Sequence, residues 1–344
     1  MIDLQGAIHI HSHFSDGSGS LREIIKSAQE AELDYIIITD HNTLRARKEG
    51  IEGWHQKTLV LVGEEISGRV GHCLALNYPN RISGRRKQPE KYLDEIRKHQ
   101  GLSFIAHPHF GSNWMFAIRN VSWKNWNVPE FTGLELWSYL ADWAKDLTWL
   151  NFARRWLNPH QAISGPSSET IKKWDELTQL RPVVAIGGVD AHAKVLTPFK
   201  RPVILPYHQV FETIRTHIVL STALTGKWID DAKKIYRALQ QGHVYLANDG
   251  IANSRGFSFQ AVDEKEKILG TMGDVISTKI PIRFKISIPA KSGSMRIIKN
   301  GEILYRSTES KIEYRAESLG VYRVEVFYHR HPWIYSNPIY LRSA

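Results

Sequence analysis

The sequence predicts an α/β protein with a mainly parallel sheet or barrel, followed by a small all-β sandwich. Short apolar runs alternate with helix-period segments over residues 6–240, and this pattern gives way to closely spaced alternating segments beyond about residue 250. Polar side chains of metal-ligand type recur where the apolar runs stop. Strand–helix alternation is typical of βαβ units, which place ligands at the carboxyl ends of parallel strands. We therefore divide the chain into residues 1–250 and 251–344.

Seven apolar runs in the first part predict strands. They cover residues 7–11, 35–39, 59–65, 72–77, 104–107, 133–137 and 183–189. Helical periodicity indicates helices over residues 21–31, 89–99, 142–156, 168–180 and 209–221. Ser20 and Glu23 have the spacing of a capping box before the first of these helices. Asp230 and Asp231 are expected to cap a further helix over residues 232–241, which Gly242 ends.

The second part consists of short alternating segments separated by turn residues. They cover residues 256–262, 279–288, 295–299, 302–306, 311–315, 321–328 and 338–341. Asn300-Gly301 lies between two of them and is a strong hairpin signal. The pattern predicts an antiparallel sandwich of roughly 90 residues, the size of an immunoglobulin-like domain, with a supporting or docking role.

Composition limits the classes of protein to consider. The 344 residues include 45 Lys and Arg against 35 Asp and Glu, so the formal net charge of +10 favours anionic partners. The sequence has no apolar run long enough for a transmembrane helix and no visible signal peptide, so we expect a cytoplasmic protein without membrane contact. No obligate protein partner is predicted. The single cysteine, Cys73, excludes an internal disulfide and is expected to be a small buried hydrophobe.

Nine side chains of metal-ligand type follow or adjoin the apolar runs. They are His9, His11, Asp16, His41, Glu65, His72, His107, Asp190 and His192. Side chains alternate along a strand, so His9 and His11 should point to the same face. One such histidine alone is more often a core or surface residue, but buried charge is tolerated mainly when it is paired or metal-bound. The set predicts a site for two or three divalent ions, and imidazole ligands suit Zn, Fe and Mn.

The order of the motifs resembles that of the polymerase and histidinol phosphatase (PHP) family. The motifs are His9-x-His11-Ser12, Ser15-Asp16-Gly17, Thr39-Asp40-His41, Gly63-x-Glu65-Ile66-Ser67, His72, Ala106-His107-Pro108 and Asp190-x-His192. The resemblance spans residues 6–195. It implies a distorted (β/α)7 TIM-like barrel, here followed by a small all-β immunoglobulin-like sandwich. It also implies two or three Mn, Fe or Zn ions and hydrolysis of phosphoesters.

The resemblance further implies how the ligands are divided among the metal ions. One ion is assigned to His9, His11, Glu65 and Asp190. Glu65 would bridge to a second ion held by His72 and His107, and a third would be held by Asp16, His41 and His192. Asp40 is expected to lie behind the ligands and orient a histidine. Glu64 could compete with Glu65, but the Glu-Ile-Ser context favours Glu65.

Other residues have weaker assignments. His192 and His109 are candidates for protonating the leaving oxygen. Lys194 and Arg69 are candidates for binding phosphate. Trp114 belongs to a tryptophan-rich stretch after His107, which could be a self-packed lid or a platform for an aromatic or sugar ring.

Three functions stay open at this point. The first is hydrolysis of a small anionic phosphoester, with nucleotides and short oligonucleotides among the options. The second is amide, carbamate or carboxylic ester hydrolysis on an aromatic substrate. A looser similarity over residues 236–245, 256–257 and 336–340 to PHP-family members with an added β-sandwich, among them a carbamate-cleaving carbaryl hydrolase, supports this option. The third is a non-catalytic metal-binding interaction protein, although a structural zinc needs only four closed ligands.

Overall fold

The computed structural model describes residues 1–82, 88–113, 120–195, 203–278, 281–290 and 292–343. Within these ranges the helices are α1 Leu21–Glu30, α2 Arg45–Lys48, α3 Pro89–Lys98, α4 Tyr139–Ala144, α5 Trp149–Leu157, α6 Ser168–Leu180, α7 Tyr207–Phe211 and α8 Trp228–Gln241. The strands up to residue 250 are β1 Ile2–Ile10, β2 Tyr35–Ile38, β3 Gly53–His55, β4 Thr58–Val62, β5 Glu64–Gly68, β6 Gly71–Leu76, β7 Leu102–Ile105, β8 Gly133–Ser138, β9 Val184–Gly188, β10 Lys194–Val195, β11 Val203–Ile204, β12 Ile214–Leu220 and β13 Val244–Asn248. Those beyond are β14 Ser258–Val262, β15 Ile268–Thr271, β16 Val275–Thr278, β17 Ile282–Ser287, β18 Ser294–Lys299, β19 Glu302–Ser307, β20 Lys311–Ala316, β21 Gly320–Tyr328, β22 His331–Ser336 and β23 Ile339–Ser343.

The local signals at several element ends act as expected. Ser20 and Glu23 form the predicted capping box at the start of α1. Gly242 follows α8 with a φ of +74°, a left-handed conformation that glycine adopts without strain. Asn300 and Gly301 have φ values of +52° and +89° between β18 and β19, as a tight hairpin turn requires. The predicted start of α8 is wrong, because the helix begins at Trp228 and both aspartates lie in its first turn.

Two predicted helices differ in the structure. Residues 142–156 form parts of α4 and α5, which are separated at Asp146, a residue with a φ of +58°. The helix predicted over residues 209–221 is wrong. Its second half is β12, which is buried along its whole length between β1 and β13. A strand covered on both faces loses the alternation that identifies strands, and its Thr, Ile and Val residues favour extended backbone.

The strands that surround the predicted ligands form a closed cycle, in which two hydrogen-bonded groups are joined at both ends. β1, β2 and β4 are parallel, as are β7, β8 and β9. The two groups meet on one side where Val189 N donates to Ile8 O at 2.9 Å. On the other side β4 continues through Gly63 into β5, and the antiparallel strands β5 and β6 lead to β7. The carboxyl ends of the parallel strands therefore meet at one end of the cycle.

The later strands build a second layer beside this cycle. β12 and β13 extend the sheet from β1, and β13 pairs with β22, so this sheet continues into the C-terminal strands β21, β23 and β16. A four-stranded sheet of β15, β14, β17 and β20 packs against it. Phe284 of β17 contacts both Phe259 of β14 and Tyr322 of β21, with ring centroids 5.2 and 4.8 Å apart. The division of the chain at residue 250 stays a prediction.

Candidate metal centre

The nine ligand-type side chains meet at the carboxyl end of the strand cycle. His9 lies in β1 and Glu65 in β5, while His72 lies in β6. The remaining ligands follow strand ends: His11 and Asp16 after β1, His41 after β2, His107 after β7, and Asp190 and His192 after β9. A closed strand cycle thus brings together residues that are up to 183 positions apart in the sequence.

Several of these ligands occupy unusual backbone conformations. His9, His107 and Asp190 have φ values of +73°, +27° and +50°. Residues other than glycine are strained at such positive φ values. The pairing of β1 with β2 shifts register between Ile8 and Ile10. His9 and His11 therefore converge through a bulge, and not through the simple strand alternation that the sequence predicted. Strain of this kind accumulates where a site requires a particular side-chain direction.

The most buried ligand group joins two imidazoles to two carboxylates. The Nε2 atoms of His9 and His11 each lie 3.1 Å from Glu65 Oε2. They lie 3.3 and 3.2 Å, respectively, from Asp190 Oδ1. Ligand atoms that share one ion at about 2.1 Å lie roughly 3.0–3.4 Å apart. These four atoms therefore have the spacing expected of ligands to one divalent ion.

Glu65 connects this group to three further histidines. Its Oε1 atom lies 2.8 Å from His72 Nδ1 and 3.0 Å from His107 Nε2. Its Oε2 atom also lies 3.1 Å from His41 Nδ1. His41, Glu65 and His72 form a second group with the geometry of a metal site. Glu65 is thus the carboxylate common to both groups.

A third group surrounds Asp16 at the solvent side. Asp16 Oδ1 lies 3.2 Å from His192 Nε2, 3.7 Å from His41 Nε2 and 3.8 Å from His11 Nδ1. These four residues form another cluster with metal-site geometry. The sequence assigns His11 to the ion held by His9, Glu65 and Asp190. In the structure its Nε2 faces that group, and its Nδ1 faces Asp16 in the third group.

Unsatisfied buried atoms test whether these residues fit metal ions. His9 Nε2, His11 Nε2 and Glu65 Oε2 are buried and have no hydrogen-bond partner among the described residues. Leaving such polar atoms unpaired costs about 1–3 kcal/mol each. A cation placed between them would satisfy all three atoms at once. Nitrogen and carboxylate donors are also the set that Zn, Mn and Fe accept, so the residues fit divalent metal ions.

Glu135 is a candidate site residue that the sequence does not predict. Its Oε1 atom lies 2.9 Å from His9 Nδ1, and its Oε2 atom accepts from the backbone N–H of His107 at 2.6 Å. A proton on His9 Nδ1 leaves Nε2 free to bind an ion, and carboxylate partners of this kind hold metal-binding histidines in place. A β-carbon at Gly188 would lie 1.7 Å from Glu135 Oε1, so any larger residue there would displace this carboxylate from its position beside His9. The available signal was an acidic residue inside the apolar run 133–137.

Two other histidines are oriented by neighbouring oxygen atoms. His192 Nδ1 lies 2.8 Å from the backbone carbonyl of Asp190, which accepts a hydrogen bond from it, and Nε2 is directed at Asp16. Ser67 Oγ lies 2.8 Å from His41 Nδ1. These contacts fix ring directions before any ion binds.

The two residues predicted to lie behind the ligands have different surroundings. Asp40 accepts from Ser12 N, Ser12 Oγ and Ser15 Oγ at 2.7, 2.7 and 2.6 Å. It therefore holds the loop after β1 and reaches His11 only through Ser15, whose Oγ lies 3.5 Å from His11 Nδ1. Glu64 accepts from the backbone N–H of Ile82. Its carboxylate turns away from the ligands because neighbouring strand residues face opposite sides.

The predicted substrate and proton-transfer residues are spread more widely. Lys194 lines the cavity beside the ligands and donates to Asp16. Arg69 is exposed in the turn between β5 and β6. His109 Nδ1 lies 2.8 Å from Thr170 Oγ1, in a neighbouring pocket of about 260 Å³. Trp114 lies outside the described residues.

Cys73 does not face the ligands. It is buried in the main hydrophobic cluster, and its thiol contacts the carbonyl of Leu74. Burial raises the pKa of this thiol, so it is a small hydrophobic residue and not a thiolate ligand.

The clustered charges change the ionisation of the ligands. Burial lowers the pKa of the His11 imidazole, but the carboxylates of Asp190 and Glu65 outweigh burial and raise this pKa to about 9. The same balance raises the pKa of His9. Burial raises the pKa of the Glu65 carboxyl, but nearby histidines lower it well below its usual value. The ligands thus favour positive charge at the centre, which protons and metal ions compete to supply.

The fold and the site define an α/β protein with a cluster of candidate metal ligands. Residues 7–137 match the PHP domain family. An uncharacterised protein of Methanocaldococcus jannaschii is 26% identical over 125 residues, which cover 31% of this chain and 68% of that protein. Within the described residues, no helix is both long and apolar enough to cross a membrane.

Three solved structures are similar over part or most of the chain. A Bacteroides vulgatus protein, described as a two-domain protein containing a PHP-like metal-dependent phosphoesterase, is 14% identical, with a TM-score of 0.44 over 98% of this chain and 95% of that one. A Bifidobacterium adolescentis protein described as a metal-dependent phosphoesterase is 15% identical, with a TM-score of 0.36 over 58% of this chain and 90% of that one. A Chromobacterium violaceum amidohydrolase is 15% identical, with a TM-score of 0.34 over 58% of this chain and 98% of that one.

Proposed function

We propose that this protein is a metal-dependent hydrolase that cleaves phosphoester bonds at a centre of two or three divalent ions. The observation that carries the proposal is the convergence of buried, unpartnered ligand atoms on Glu65, which joins adjacent ligand groups. We interpret the strand cycle as a distorted (β/α)7 barrel and the later strands as an immunoglobulin-like sandwich. The metal ions in this proposal are Mn, Fe or Zn.

The site residues would have different roles in hydrolysis. His9, His11 and Asp190 would hold one ion, His72 and His107 would share a second with Glu65, and Asp16, His41 and His192 would hold a third. Bound divalent ions would lower the pKa of a water and neutralise charge on the phosphate. In the reaction the water oxygen bonds to phosphorus, the ester P–O bond breaks, and the leaving oxygen takes up a proton.

The chain's own residues position the phosphate and the proton. Lys194 Nζ lies 3.2 Å from Asp16 Oδ2 and places an ammonium group beside the ligands, where it can contact a phosphate oxygen. His192 is the better placed of the two candidate proton donors in a two-ion centre, where its Nε2 would hold no ion. It lines the same cavity, whereas His109 is bound to Thr170 in the neighbouring pocket.

The proposed substrate is a small anionic phosphoester. The net charge of +10 favours such a partner, and nucleotides and short oligonucleotides belong to this class. We propose no membrane partner and no obligate protein partner, and we place the protein in the cytoplasm.

A second candidate is hydrolysis of a carbamate or carboxylic ester of an aromatic compound. One observation favours it: beyond the ligands, the cavity is walled mainly by aromatic and aliphatic side chains. A purely structural role for the ions fits less well, since structural sites close around four ligands and this centre has nine.

The matched variants Glu65→Gln and Glu64→Gln test the proposal. The two residues are adjacent, but only Glu65 faces the ligand groups. Purified protein with Mn²⁺ should hydrolyse p-nitrophenyl phosphate or its bis ester. Glu65→Gln should lower kcat by about 10³-fold or more and reduce bound metal. Glu64→Gln should keep both kcat and metal content.

Elemental analysis of the purified protein provides the metal count. We expect two or three ions per chain. Activity on 1-naphthyl N-methylcarbamate without activity on either phosphate ester would replace the first candidate with the second. Loss of metal without any loss of a hydrolytic activity would contradict both.

A further inference from the structure

We propose that this site selects esters whose organic group is large, apolar and ring-containing, and that it discriminates against nucleotides. The inference rests on the proposed hydrolytic function and specifies its substrate class. It comes from the apolar lining of the cavity beside the ligands, and not from the ligands themselves.

The cavity beside the ligands has about the size of a small-molecule site. Its volume is about 520 Å³, within the range of roughly 300–1,000 Å³ common for such sites. The polar part of its lining consists of ligand residues and Lys194. The rest is built mainly from Phe110, Tyr139, Leu140, Trp143, Leu205 and Val210. A polar reacting group would therefore lie at the ligands while the rest of the molecule enters an apolar space.

The carboxyl end of β8 supplies part of this apolar lining. The other parallel strands of the cycle end near ligand residues, but β8 leads directly into α4, which begins at Tyr139. Tyr139 and Trp143 are four residues apart on this helix and therefore lie on one face. The indole N–H of Trp143 donates to the carbonyl of Arg155 at 3.1 Å. With its polar group satisfied there, the Trp143 ring offers the cavity an apolar surface.

Charge in the cavity argues against a nucleotide. Among the described residues that line it, Lys194 is the one lysine or arginine. This lysine already pairs with Asp16. A nucleotide would also bring a polar base and sugar against side chains that offer them few hydrogen bonds. Burying those groups without partners is unfavourable, whereas burying an aryl group there is favourable.

Phenyl phosphate, 1-naphthyl phosphate and 5′-AMP test the inference with metal-loaded protein. The first two share a phenolic leaving oxygen, so their difference reports mainly on the size of the apolar group. We expect kcat/KM for 1-naphthyl phosphate to exceed that for phenyl phosphate by about tenfold and that for 5′-AMP by more. Turnover of 5′-AMP at or above the naphthyl rate would overturn the inference and leave phosphoester hydrolysis standing.

Leu140→Trp and Leu150→Trp are a matched pair of variants. Leu140 lines the cavity, whereas Leu150 is fully exposed on α5. Leu140→Trp should lower the ratio of naphthyl to phenyl kcat/KM by at least about tenfold because the added ring fills the space. Leu150→Trp should leave the ratio unchanged. Equal ratios in both variants would contradict the inference.

Binding of 1-naphthol separates failure of this inference from failure of the proposed function. The compound has no ester bond, so calorimetry with it reports on the cavity whether or not the protein hydrolyses phosphoesters. We expect 1-naphthol to bind at least about tenfold more tightly than phenol, and Leu140→Trp to remove this preference. Absence of the preference in the unaltered protein would overturn the inference even if phosphoester hydrolysis is observed.

Discussion

Two buried clusters of histidine and carboxylate side chains in this protein differ in their hydrogen bonding. One leaves ligand atoms without hydrogen-bond partners, and in the other both ring nitrogens of the histidine are hydrogen-bonded. The metal centre contains His9 between Glu65, Asp190 and Glu135. The second cluster, which we call the junction cluster, contains His217 between Asp3 and Asp249. Both histidines are fully buried, and carboxylates outweigh burial to raise the pKa of each.

The junction cluster is internally satisfied. His217 Nδ1 lies 2.9 Å from Asp3 Oδ1, and His217 Nε2 lies 2.9 Å from Asp249 Oδ2. Asp3 Oδ2 accepts from the Tyr245 hydroxyl at 2.7 Å. Asp249 Oδ1 accepts from the Ser254 hydroxyl at 2.6 Å. The cluster therefore ties β1 and β12 to the segment that leads into β14.

The difference shows that composition alone does not identify a metal site. At the metal centre the ligand nitrogens of His9 and His11 face carboxylate oxygens without hydrogen-bond geometry. In the junction cluster both ring nitrogens of His217 are hydrogen-bonded. Open ligand atoms indicate a site for an ion, whereas a satisfied network indicates structural support.

The largest expected effect comes from His9→Ala. Removing a ligand at the most buried group should lower kcat by about 10³-fold or more and reduce bound metal. The fold should persist, because β1 keeps its backbone pairing with β2 and β12. Metal analysis, kinetics and circular dichroism on one preparation measure all three. Full activity in a folded His9→Ala protein would remove His9 from the site.

His217→Ala should have the reverse pattern. Asp3 and Asp249 would lose the cation between them, and breaking a buried pair in this way costs about 3–5 kcal/mol. Urea unfolding should show this loss in the free energy of unfolding. Under conditions where the variant is folded, metal content and kcat should match those of the unaltered protein. Loss of metal from folded His217→Ala would contradict the distinction between the two clusters.

Glu135→Gln tests the distinction between the two clusters at a carboxylate that contacts His9 Nδ1 in the way that Asp3 contacts His217 Nδ1. A glutamine can still accept a hydrogen bond from His9 Nδ1, but it removes the charge that strengthens the imidazole as a ligand. Metal affinity should fall about 10–100-fold, measured by competition with a chelator. Glu325→Gln, in a buried pair with Arg323 remote from the site, is the control and should keep the affinity.

Most of the ligand set could be predicted from sequence because ligand types recur where apolar runs end. His9, His41, His107 and Asp190 all follow or interrupt such runs. Which ligands belong to the same group could not be predicted from their spacing in the sequence. The grouping depends on the bulge at His9 and on the closure of the strand cycle. Glu135 was missed because a single acidic residue inside an apolar strand has no motif around it.

The fold was predictable where local signals and burial agree. The α1 capping box and the Asn300-Gly301 turn are local, and both form as expected. β12 was not predictable in this way, because both of its faces are buried and its residues do not alternate simply between polar and apolar. His217 within β12 gave no sign of its role for the same reason, since Asp3 and Asp249 come together with it only when β1 and β13 pair with β12.

The smallest expected effect is the pH dependence of stability that the junction cluster contributes. Asp3 and Asp249 outweigh burial and raise the pKa of His217 from 6.5 to about 9. A raised folded-state pKa stabilises the protein fully below pH 6.5, and this stabilisation is lost as the pH rises through about 9. Between pH 6.5 and pH 8 the loss should be about 2 kcal/mol in the free energy of unfolding.

His217→Gln isolates this contribution, because both proteins keep the same metal ligands and the same other ionisable groups. The stability difference between the unaltered protein and His217→Gln, measured by urea unfolding at a series of pH values, should therefore shrink as the pH rises. A difference that stays constant from pH 6 to pH 9 would show that His217 is neutral in the folded state. The contrast between the clusters would then rest on hydrogen bonding alone, and not on charge.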